Sequence, residues 1–404
     1  MPAAHRQKDR RKYRFRARFF LLLIMVILLA FAIVRVSMIP DGGSRDTSQA
    51  SDSNIAGMDI MFAGDLVMHT SLLQASTSNG TCDISSDFRY IKKYIKNADI
   101  AVCDLETTFS GSTTGYPRFS SPSAVADSLA GVGFDLVGTA NNHAYDYGHS
   151  GLMKTLRGLK AAGLKTAGTR GSADGKRFAM FTVDGVRVAI MPYTFATGSG
   201  SSIGLNGLSM GSDRQYVNYF TYSSGGARKI ANTEKAARKA GADIVIAYMH
   251  WGEEYTQVNS SQKTLVKRLL KESTIDAVIG SHPHVVQKYT TMTNSAGAEV
   301  PVYYAIGNLL SNQRSEILNH GISTEEGALV DISIKYDKDK DKVQSLKTEA
   351  IPYWVDKYTD GKVKYRIIPL TGEYKNNEAL KVSGHAAKAA EAKKNVYERL
   401  GINN

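Results

Sequence analysis

Two histidines separated by a proline, His282 and His284, directly follow an apolar segment at residues 275–279. Alternate residues of an extended chain project to the same side, and a proline biases the residue before it toward an extended conformation. We therefore predict that both imidazoles project side by side from the end of a strand, where they could hold a metal ion. For this motif considered alone, solvated loop histidines are an equal alternative.

Four further apolar segments are also followed at once by residues that can bind metal. Sites in open α/β sheets form beyond the carboxyl ends of the strands, so we expect these side chains to converge. Five such junctions in one chain make the solvated-loop alternative improbable. The residues are Asp65 and His69 after residues 58–64, Asp104 and Glu106 after 98–103, Asn142, His143 and Asp146 after 134–140, and His250, Trp251 and Glu253 after 243–249.

The ligand types at these junctions indicate which ions they would hold. A mixture of imidazole, carboxylate and amide groups suits Mn, Fe or Zn better than Ca. The number of candidates favours two divalent transition-metal ions bridged by one carboxylate. Such a pair, about 3.5–4 Å apart, activates water and clamps a phosphoryl or carbonyl oxygen. The predicted chemistry is therefore metal-dependent hydrolysis or group transfer.

Short apolar runs alternate with amphipathic segments over residues 55–370, which predicts an α/β fold. Most runs are continuously apolar, as expected of strands that are covered on both faces. Asp184 and Gly185, between two further apolar runs, predict a β-hairpin. Helices are predicted at residues 88–97, 149–162, 227–240 and 263–271.

A segment rich in glycine, serine and tyrosine extends from residue 197 to residue 226. A connection of this length is usually functional or disordered. Tyr193, just before it, and Asn206, within it, are candidates for the mouth of a pocket. Asn308, in the sequence YAIGN, is expected to satisfy a turn.

Several site candidates have a structural alternative. Trp251 could stack on a substrate or pack in the core. Asp146 could fix His143 or cap the helix that follows, and capping is the expected role. Glu253 and Glu254 are either solvated, or one of them serves as an acid or base near the metal ions.

The N-terminal segment has the pattern of a membrane anchor. Residues 1–18 contain eight Lys or Arg and one Asp, a net charge of +7 out of +12 for the chain. The uncharged apolar run that follows, extended to residue 39, reaches the roughly 20 residues that cross a bilayer. We predict a transmembrane helix at residues 19–39, with residues 1–18 in the cytoplasm and the main domain outside the cell. A cleaved signal peptide is the alternative, and residues 40–56 have the composition of a flexible linker.

Charge and cysteine content limit the other possibilities. Beyond residue 18 the net charge is only about +5, and no basic motif is visible, so no nucleic-acid partner is predicted. Outside the cell, Cys82 and Cys103 could form a disulfide. Cys103 ends an apolar run, where a buried thiol is equally reasonable, so the pairing stays open.

Six motifs in order, GDLVMH, DLE, NNHAYDYG, HWGEEY, GSHPHVVQ and YAIGN, resemble the CapA family of capsule and poly-γ-glutamate synthesis proteins, within the calcineurin-like metallophosphatase superfamily. The resemblance covers about residues 57–370 and leaves residues 371–404 as a C-terminal helix and tail. It implies a four-layer α/β/β/α metallophosphatase-like sandwich behind the transmembrane helix. It also implies an extracellular domain that works with a membrane polymer-synthase or export complex on an anionic polymer such as poly-γ-glutamate.

The resemblance further implies a role for each motif residue. Asp65 and His284 would ligate one ion, Asn142, His250 and His282 would ligate the other, and Glu106 would bridge them. His143 would stabilise or protonate the leaving oxygen.

Two departures from the general phosphatase pattern weaken any inference of ordinary phosphatase activity, although both fit the CapA-like branch. The usual Asp-x-His spacing is stretched to Asp65-x-x-x-His69, and Glu106 replaces the bridging aspartate. Two functions therefore stay open. One is a metal-dependent hydrolase or transferase, and the other is a non-catalytic component that binds and exports the polymer.

Overall fold

The structure, a computed structural model, describes residues 54–403. The predicted cytoplasmic segment, the membrane anchor at residues 19–39 and nearly all of the linker lie outside the described residues. Among residues 54–403, no helix is both long enough and apolar enough to cross a membrane. The described residues form a mixed α/β fold, which confirms the predicted class.

The strands of the described chain fall into two large sheets and two short hairpins. In chain order they are β1 (Ile55–Leu66), β2 (Thr77–Ser78), β3 (Thr81–Cys82), β4 (Ile100–Leu105), β5 (Leu136–Gly138), β6 (Lys165–Ala167), β7 (Ala179–Val183), β8 (Val186–Phe195), β9 (Gly204–Leu205), β10 (Leu208–Ser209), β11 (Tyr219–Phe220), β12 (Ile244–His250), β13 (Ala277–Ser281), β14 (Tyr289–Thr293), β15 (Glu299–Tyr303), β16 (Asn308–Leu310), β17 (Glu326–Asp337), β18 (Lys342–Asp360) and β19 (Lys362–Pro369).

The α-helices connect or follow these strands. They are α1 (Thr70–Ser76), α2 (Lys92–Asn97), α3 (Ala124–Val132), α4 (Gly148–Ala161), α5 (Ser224–Lys239), α6 (Ser260–Glu272), α7 (Ser315–Leu318), α8 (Glu378–Ser383) and α9 (Ala386–Leu400).

The first sheet has the strand order β19-β18-β17-β1-β4-β5-β6, with β16 also paired to β1. Strands β1, β4, β5 and β6 are parallel to one another. The second sheet has the order β11-β8-β12-β13-β15-β14, with β7 also paired to β8. Its strands β8, β12, β13 and β15 are parallel. Parallel strands end at the same edge of a sheet, so each sheet gathers the residues that follow its strands.

The two sheets share a central core, to which β1 contributes Ile60 and Phe62 and β12 contributes Ile246. On the outer face of the first sheet, α1 to α4 bury apolar residues such as Leu129. On the outer face of the second sheet, α5 and α6 do the same through residues such as Leu265. The layers therefore follow the order helix, sheet, sheet, helix. Central strands are buried on both faces, which explains their continuously apolar sequences.

Several local predictions can be compared with these elements. The hairpin is confirmed, because β7 pairs with β8 and both Asp184 and Gly185 have the positive φ that such a turn requires. The segment at 197–226 is not a long open loop. It forms β9 to β11 and packs on α4 through Leu205 and Val217. The helix predicted at 88–97 was too long, since α2 begins at Lys92.

Both cysteines are free and buried, so the disulfide alternative is wrong. Toward the C-terminus, α8 and α9 pack against β18 and bury Leu380, Ala389 and Ala392 beside Trp354. The helix predicted near the C-terminus is therefore part of the packed structure.

Candidate metal centre

The strand ends of both sheets meet at one site. Asp65 lies at the end of β1, Glu106 directly after β4, and Asn142 shortly after β5. From the second sheet, His250 is the last residue of β12, and His282 directly follows β13. All five side chains are buried. The expected convergence at the carboxyl ends of the strands is therefore observed.

Glu106 is shared by two groups of possible metal ligands. In one group it joins Asp65 and His284, and in the other it joins His250 and His282, with the ligand atoms of each group within 4.8 Å of one another. Glu106 Oε2 lies 3.8 Å from His284 Nδ1, and Glu106 Oε1 lies 3.9 Å from His250 Nε2. These two groups contain the carboxylates and imidazoles of the two ligand sets that the motif resemblance implied, and a further possible group joins Asp65, Asp104 and His250.

Several ligand atoms of these groups have no hydrogen-bond partner in the described protein, as expected of atoms that bind a metal ion. Asp65 Oδ1, both carboxylate oxygens of Glu106 and His282 Nδ1 are buried and have no hydrogen-bond partner among residues 54–403. Buried polar groups are normally paired, because leaving one unpaired costs roughly 1–3 kcal/mol. Burial, and then the nearby charges of Asp65 and Asp104, raise the pKa of Glu106 well above its usual range. Bound cations would satisfy all these atoms.

His250 gives a second indication of a cation. Its Nδ1 lies 2.8 Å from Asp104 Oδ2, and its Nε2 lies 2.8 Å from Asn142 Oδ1. Burial lowers the pKa of His250 to about 3 and raises that of Asp104 to about 7. With Asp104 ionised, a neutral His250 ring has one hydrogen for two facing acceptor oxygens, and a metal ion in place of the missing hydrogen resolves this arrangement. Asp104 thus orients a ligand, as carboxylates behind metal-binding histidines do.

The backbone at the His-Pro-His motif differs from the prediction. His282 and His284 have φ values of 94° and 58°, so they lie in a tight turn, and the extended conformation predicted for His282 is wrong. Non-glycine residues rarely adopt positive φ, and such strain is concentrated at functional sites. The backbone N–H of His282 donates to Asp65 Oδ2 at 3.0 Å, which fixes the turn on the first sheet.

His284 is held from behind by Asn308. Its Nδ1 lies 2.9 Å from Asn308 Oδ1, and the Asn308 amide donates to Gln313 and to the carbonyl of Thr324. Burial lowers the pKa of His284, but hydrogen bonding and attraction to Asp65 outweigh it, and the net shift is upward. Asn308 therefore positions a candidate ligand, and the expectation that it only satisfies a turn was wrong.

His143 lies beside the metal ligands without belonging to either group. Its Nε2 is 3.8 Å from Glu106 Oε1, and its Nδ1 is 2.7 Å from Asp146 Oδ2. Asp146 also accepts the backbone N–H of Phe119 at 2.7 Å, and α4 has no side-chain cap. The expected capping role of Asp146 is therefore wrong, and fixing His143 is its observed role.

Asn206 reaches this site from the hairpin formed by β9 and β10. Its amide nitrogen lies 3.2 Å from His143 Nδ1, and its oxygen accepts a hydrogen bond from the Asn142 amide at 3.1 Å. The second contact turns the Asn142 oxygen toward His250. Asn206 thus orients both its neighbours, which is a closer involvement than the predicted place at a pocket mouth.

A cavity of about 370 Å³ opens beside the metal ligands. His143 and His284 line its inner end, and His69 lines it as well, with its ring edge-on to Phe119. Burial lowers the pKa of His69 to about 4, but His69 belongs to none of the ligand groups in the described chain. The cavity wall also includes Glu254, which groups with His282 and His284 as a further possible ligand.

Three of the weaker candidates do not line this cavity. Tyr193 is completely buried under α5 and its hydroxyl bonds Thr233 at 2.6 Å, so its predicted place at the pocket mouth is wrong. Trp251 packs in the same core and donates to the carbonyl of Tyr304 at 2.7 Å. Glu253 is exposed and belongs to none of the described ligand groups; its neighbour Glu254 is the acid near the histidines.

Sequence comparisons match this chain to capsule and PGA biosynthesis proteins. A family profile described as "Bacterial capsule synthesis protein PGA_cap" matches residues 59–313. "Capsule biosynthesis protein CapA" of Bacillus anthracis is 24% identical over 262 residues, which are 63% of this chain and 60% of that protein. "PGA biosynthesis protein CapA" of Bacillus subtilis is 22% identical over 303 residues, 73% of this chain and 72% of that protein. The match thus spans less than two thirds of the Bacillus anthracis protein.

Among solved structures, the calcineurin-like phosphoesterase YfkN of Bacillus subtilis matches with 14% identity and a TM-score of 0.43. The match covers 85% of this chain and 99% of that chain. A structure described as a novel phosphatase of Mycoplasma pneumoniae matches with 13% identity and the same TM-score, over 74% of this chain and 94% of that chain.

Proposed function

The chain belongs to the PGA_cap family of bacterial capsule synthesis proteins, and from this premise we propose that it acts outside the cell, anchored in the membrane, in the synthesis or export of an anionic capsule polymer such as poly-γ-glutamate. Its metal centre is proposed to be a hydrolase or transferase site for a phosphoester or a γ-glutamyl amide. The names of the two Bacillus relatives support the polymer class.

One observation carries the catalytic part of the proposal. Asp65 and Glu106 have buried oxygens, and His282 a buried nitrogen, without hydrogen-bond partners among the described residues. Asp65 and Glu106 group with His284, and His284 lines the open cavity. A purely structural core would satisfy these atoms with hydrogen bonds. Asp65, Glu106 and His284 would hold one divalent ion, and Glu106, His250 and His282 would hold another. Ions bound there would supply the polarisation of a phosphoryl or carbonyl oxygen.

His143 would donate a proton to the leaving group. The contact between its Nδ1 and Asp146 Oδ2 fixes the ring and leaves Nε2 directed toward the carboxylate of Glu106. A proton held at Nε2 can pass to a leaving oxygen or nitrogen beside the ligands. A positioned acid of this kind contributes about 10²–10⁴-fold to a rate.

The cavity wall is suited to holding the chain that carries the reacting bond. Phe119 and Tyr255 form one part of it, and the exposed side chains of Tyr116 and Ile317 stand at its rim. These apolar groups would bind the methylene or backbone part of a polymer unit and exclude water from the reacting group.

Fold and location are proposed together with the activity. The two sheets with helices outside them support the α/β/β/α sandwich of the calcineurin-like metallophosphatases. The basic segment and apolar run before residue 40 support a single membrane anchor with the main domain outside the cell. A membrane polymer-synthase or export complex is the partner that such an anchor and such a substrate would serve.

The test compares His143→Ala with His149→Ala in cells that depend on this protein for polymer. His149 is a partly exposed histidine that pairs with Asp213 outside the ligand groups, so it controls for loss of an imidazole. We expect His143→Ala to abolish polymer production while protein level, metal content and melting temperature stay near wild type. His149→Ala should produce polymer normally.

Wild-type polymer production by His143→Ala, at a normal protein level, would refute the catalytic function. It would leave the non-catalytic role of polymer binding and export.

A further inference from the structure

A second concentration of charge lies outside the metal centre, around Asn218. Arg170, after β6, donates from Nη1 to Asn218 Oδ1 at 2.7 Å, and Arg177, before β7, donates to the same oxygen at 3.3 Å. Lys229 of α5 places its Nζ 3.1 Å from the ring centroid of Tyr219, the next residue. Three cations from two segments, the connection between β6 and β7 and the helix α5, therefore lie around Asn218 and Tyr219.

These cations have no acidic partner in the described part of the chain. None of Arg170, Arg177 and Lys229 forms an ion pair there. By contrast, Arg228 and Arg238 on the same helix as Lys229 each pair with a glutamate, at 3.6 and 3.3 Å. Both arginines of α5 are thus paired with a carboxylate, whereas the three cations around Asn218 and Tyr219 are not paired within the described chain.

Arg170 makes the lack of a counter-ion costly. Its side chain is almost completely buried, with 5% of the residue exposed, and its Nε has no hydrogen-bond partner among the described residues. Its other terminal nitrogen donates to the carbonyl of Gln215. Buried charge without an opposite charge is strongly unfavourable, so a paired state should be preferred.

The pKa of Lys229 shows the same excess of positive charge. Burial, and then the charges of Arg177, Arg170 and Arg214, lower the pKa of Lys229 to about 7. The ammonium group is therefore destabilised by its surroundings, and an anion placed beside it would restore its charge. Arg177 and Lys229 are only partly buried, so such an anion can reach them from solvent.

We propose that Arg170, Arg177 and Lys229 form a binding site for an oxyanion, a carboxylate or phosphate group of a ligand. Guanidinium groups match the two oxygens of such a group with paired hydrogen bonds, and an ammonium group adds a point charge. This site shares no residue with the metal centre, and the inference does not depend on the proposed function.

The experiment titrates the full-length, metal-loaded protein with inorganic phosphate and, separately, with a short γ-linked glutamyl oligomer, by calorimetry. The variants are Arg177→Gln and Lys229→Gln. Lys235→Gln is the matched control, because it removes the same charge from an exposed position on the same helix. The affinity of the metal centre for phosphate should be the same in the wild type and the three variants. A difference in affinity between these proteins therefore reports on the proposed site alone.

We expect each cluster variant to weaken the binding of at least one of the two ligands by about tenfold, the worth of one charged contact. Lys235→Gln should stay within about twofold of wild type. Loss confined to phosphate identifies a phosphate site, and loss confined to the oligomer identifies a carboxylate site; both support the proposal. Equal affinity in all four proteins for both ligands, or no binding of either ligand, would overturn it.

Thermal unfolding gives an independent reading of the same site. Without an anion, Lys229→Gln should melt at a higher temperature than wild type, because one of the repelling charges is gone. Added ligand should raise the melting temperature of wild type more than that of Lys229→Gln. A lower melting temperature of Lys229→Gln without anion, together with an unchanged ligand effect, would contradict the inference.

Discussion

Replacing Glu106 with glutamine should make the metal-free protein more stable and should reduce the stability that bound metal adds. The wild-type carboxylate is completely buried and neither of its oxygens has a partner among the described residues. Glutamine has nearly the same shape but no charge, so the metal-free protein should become more stable, by about 1–3 kcal/mol, the usual cost of an unsatisfied buried group. The metal-bound protein should lose the carboxylate that both ligand groups share.

The size of the effect follows from ligand linkage. A metal ion present at about a thousand times its dissociation constant adds about 4.1 kcal/mol to the free energy of unfolding. In a domain of this size each kcal/mol raises the melting temperature by about 2 °C. Each ion should therefore raise the melting temperature of wild type by about 8 °C, or about 16 °C for two ions, and metal should raise that of Glu106→Gln by less than about 2 °C.

The gain in the metal-free state should also depend on pH. The pKa of Glu106 is raised in the folded protein by burial and by Asp65 and Asp104, above its ordinary value of 4.5. A carboxyl group whose pKa is higher in the folded protein than in the unfolded protein makes the folded state less stable as pH rises above the unfolded pKa. Glutamine does not titrate, so the advantage of Glu106→Gln should grow as pH rises above about 4.5.

The assay is thermal unfolding of the full-length protein after chelation and after addition of manganese or zinc. Glu326→Gln is the control, because Glu326 is also buried but belongs to no ligand group in the described chain, and its carboxylate accepts a hydrogen bond from Asn395 and forms an ion pair with Arg399 at 2.9 Å. It should lower the melting temperature equally with and without metal. A full metal-induced rise in Glu106→Gln, or its loss in the control, would refute the assignment of Glu106 as the shared ligand.

Four further substitutions have distinct outcomes. Glu254→Gln should reduce the manganese-induced rise in melting temperature and Glu253→Gln should not; an equal effect of both would contradict the role given to Glu254. Tyr193→Phe should lower the free energy of unfolding in urea by about 1 kcal/mol, through one lost core hydrogen bond, and keep the metal content of wild type. Gly280→Ala should lower the same free energy by about 3 kcal/mol, because its Cβ would lie 1.9 Å from a backbone carbonyl oxygen.

The sequence was sufficient to predict the strand-end residues of the centre. Asp65, Glu106 and His250 each end or follow an apolar run, and parallel strands bring such positions to one edge. The α/β class followed from the same alternation of apolar runs and amphipathic segments. These inferences depend on local patterns, which is why they could be made without a structure.

Residues that support the ligands could not be predicted in the same way. Asn308 reaches His284 because β16 pairs with β1 and places their ends together, a contact between distant parts of the chain. Glu254 rather than Glu253 faces the histidines because of the turn after His250, where Tyr255 has a φ of 61°. Neither a long-range pairing nor a local positive φ is visible in the order of residue types.

The oxyanion cluster was missed for a similar reason. Arg170 and Arg177 lie in the connection between β6 and β7, Lys229 lies on α5, and nothing in their sequence surroundings distinguishes them from solvated surface cations. Only the fold shows that the arginines bind Asn218 and that Lys229 lies over the neighbouring Tyr219, without a paired carboxylate among the described residues. Tyr193 is the opposite case, because its place beside a glycine-rich segment suggested a pocket, whereas its side of β8 faces α5.

Counting metal ions in the purified full-length protein tests the central claim most directly. After loading with manganese and zinc and removal of free metal, elemental analysis should find close to two ions for each chain in the wild type. His282→Ala should lose most of this metal, because it removes a donor that the described protein leaves unsatisfied. Wild-type protein that holds no metal after loading would contradict the account.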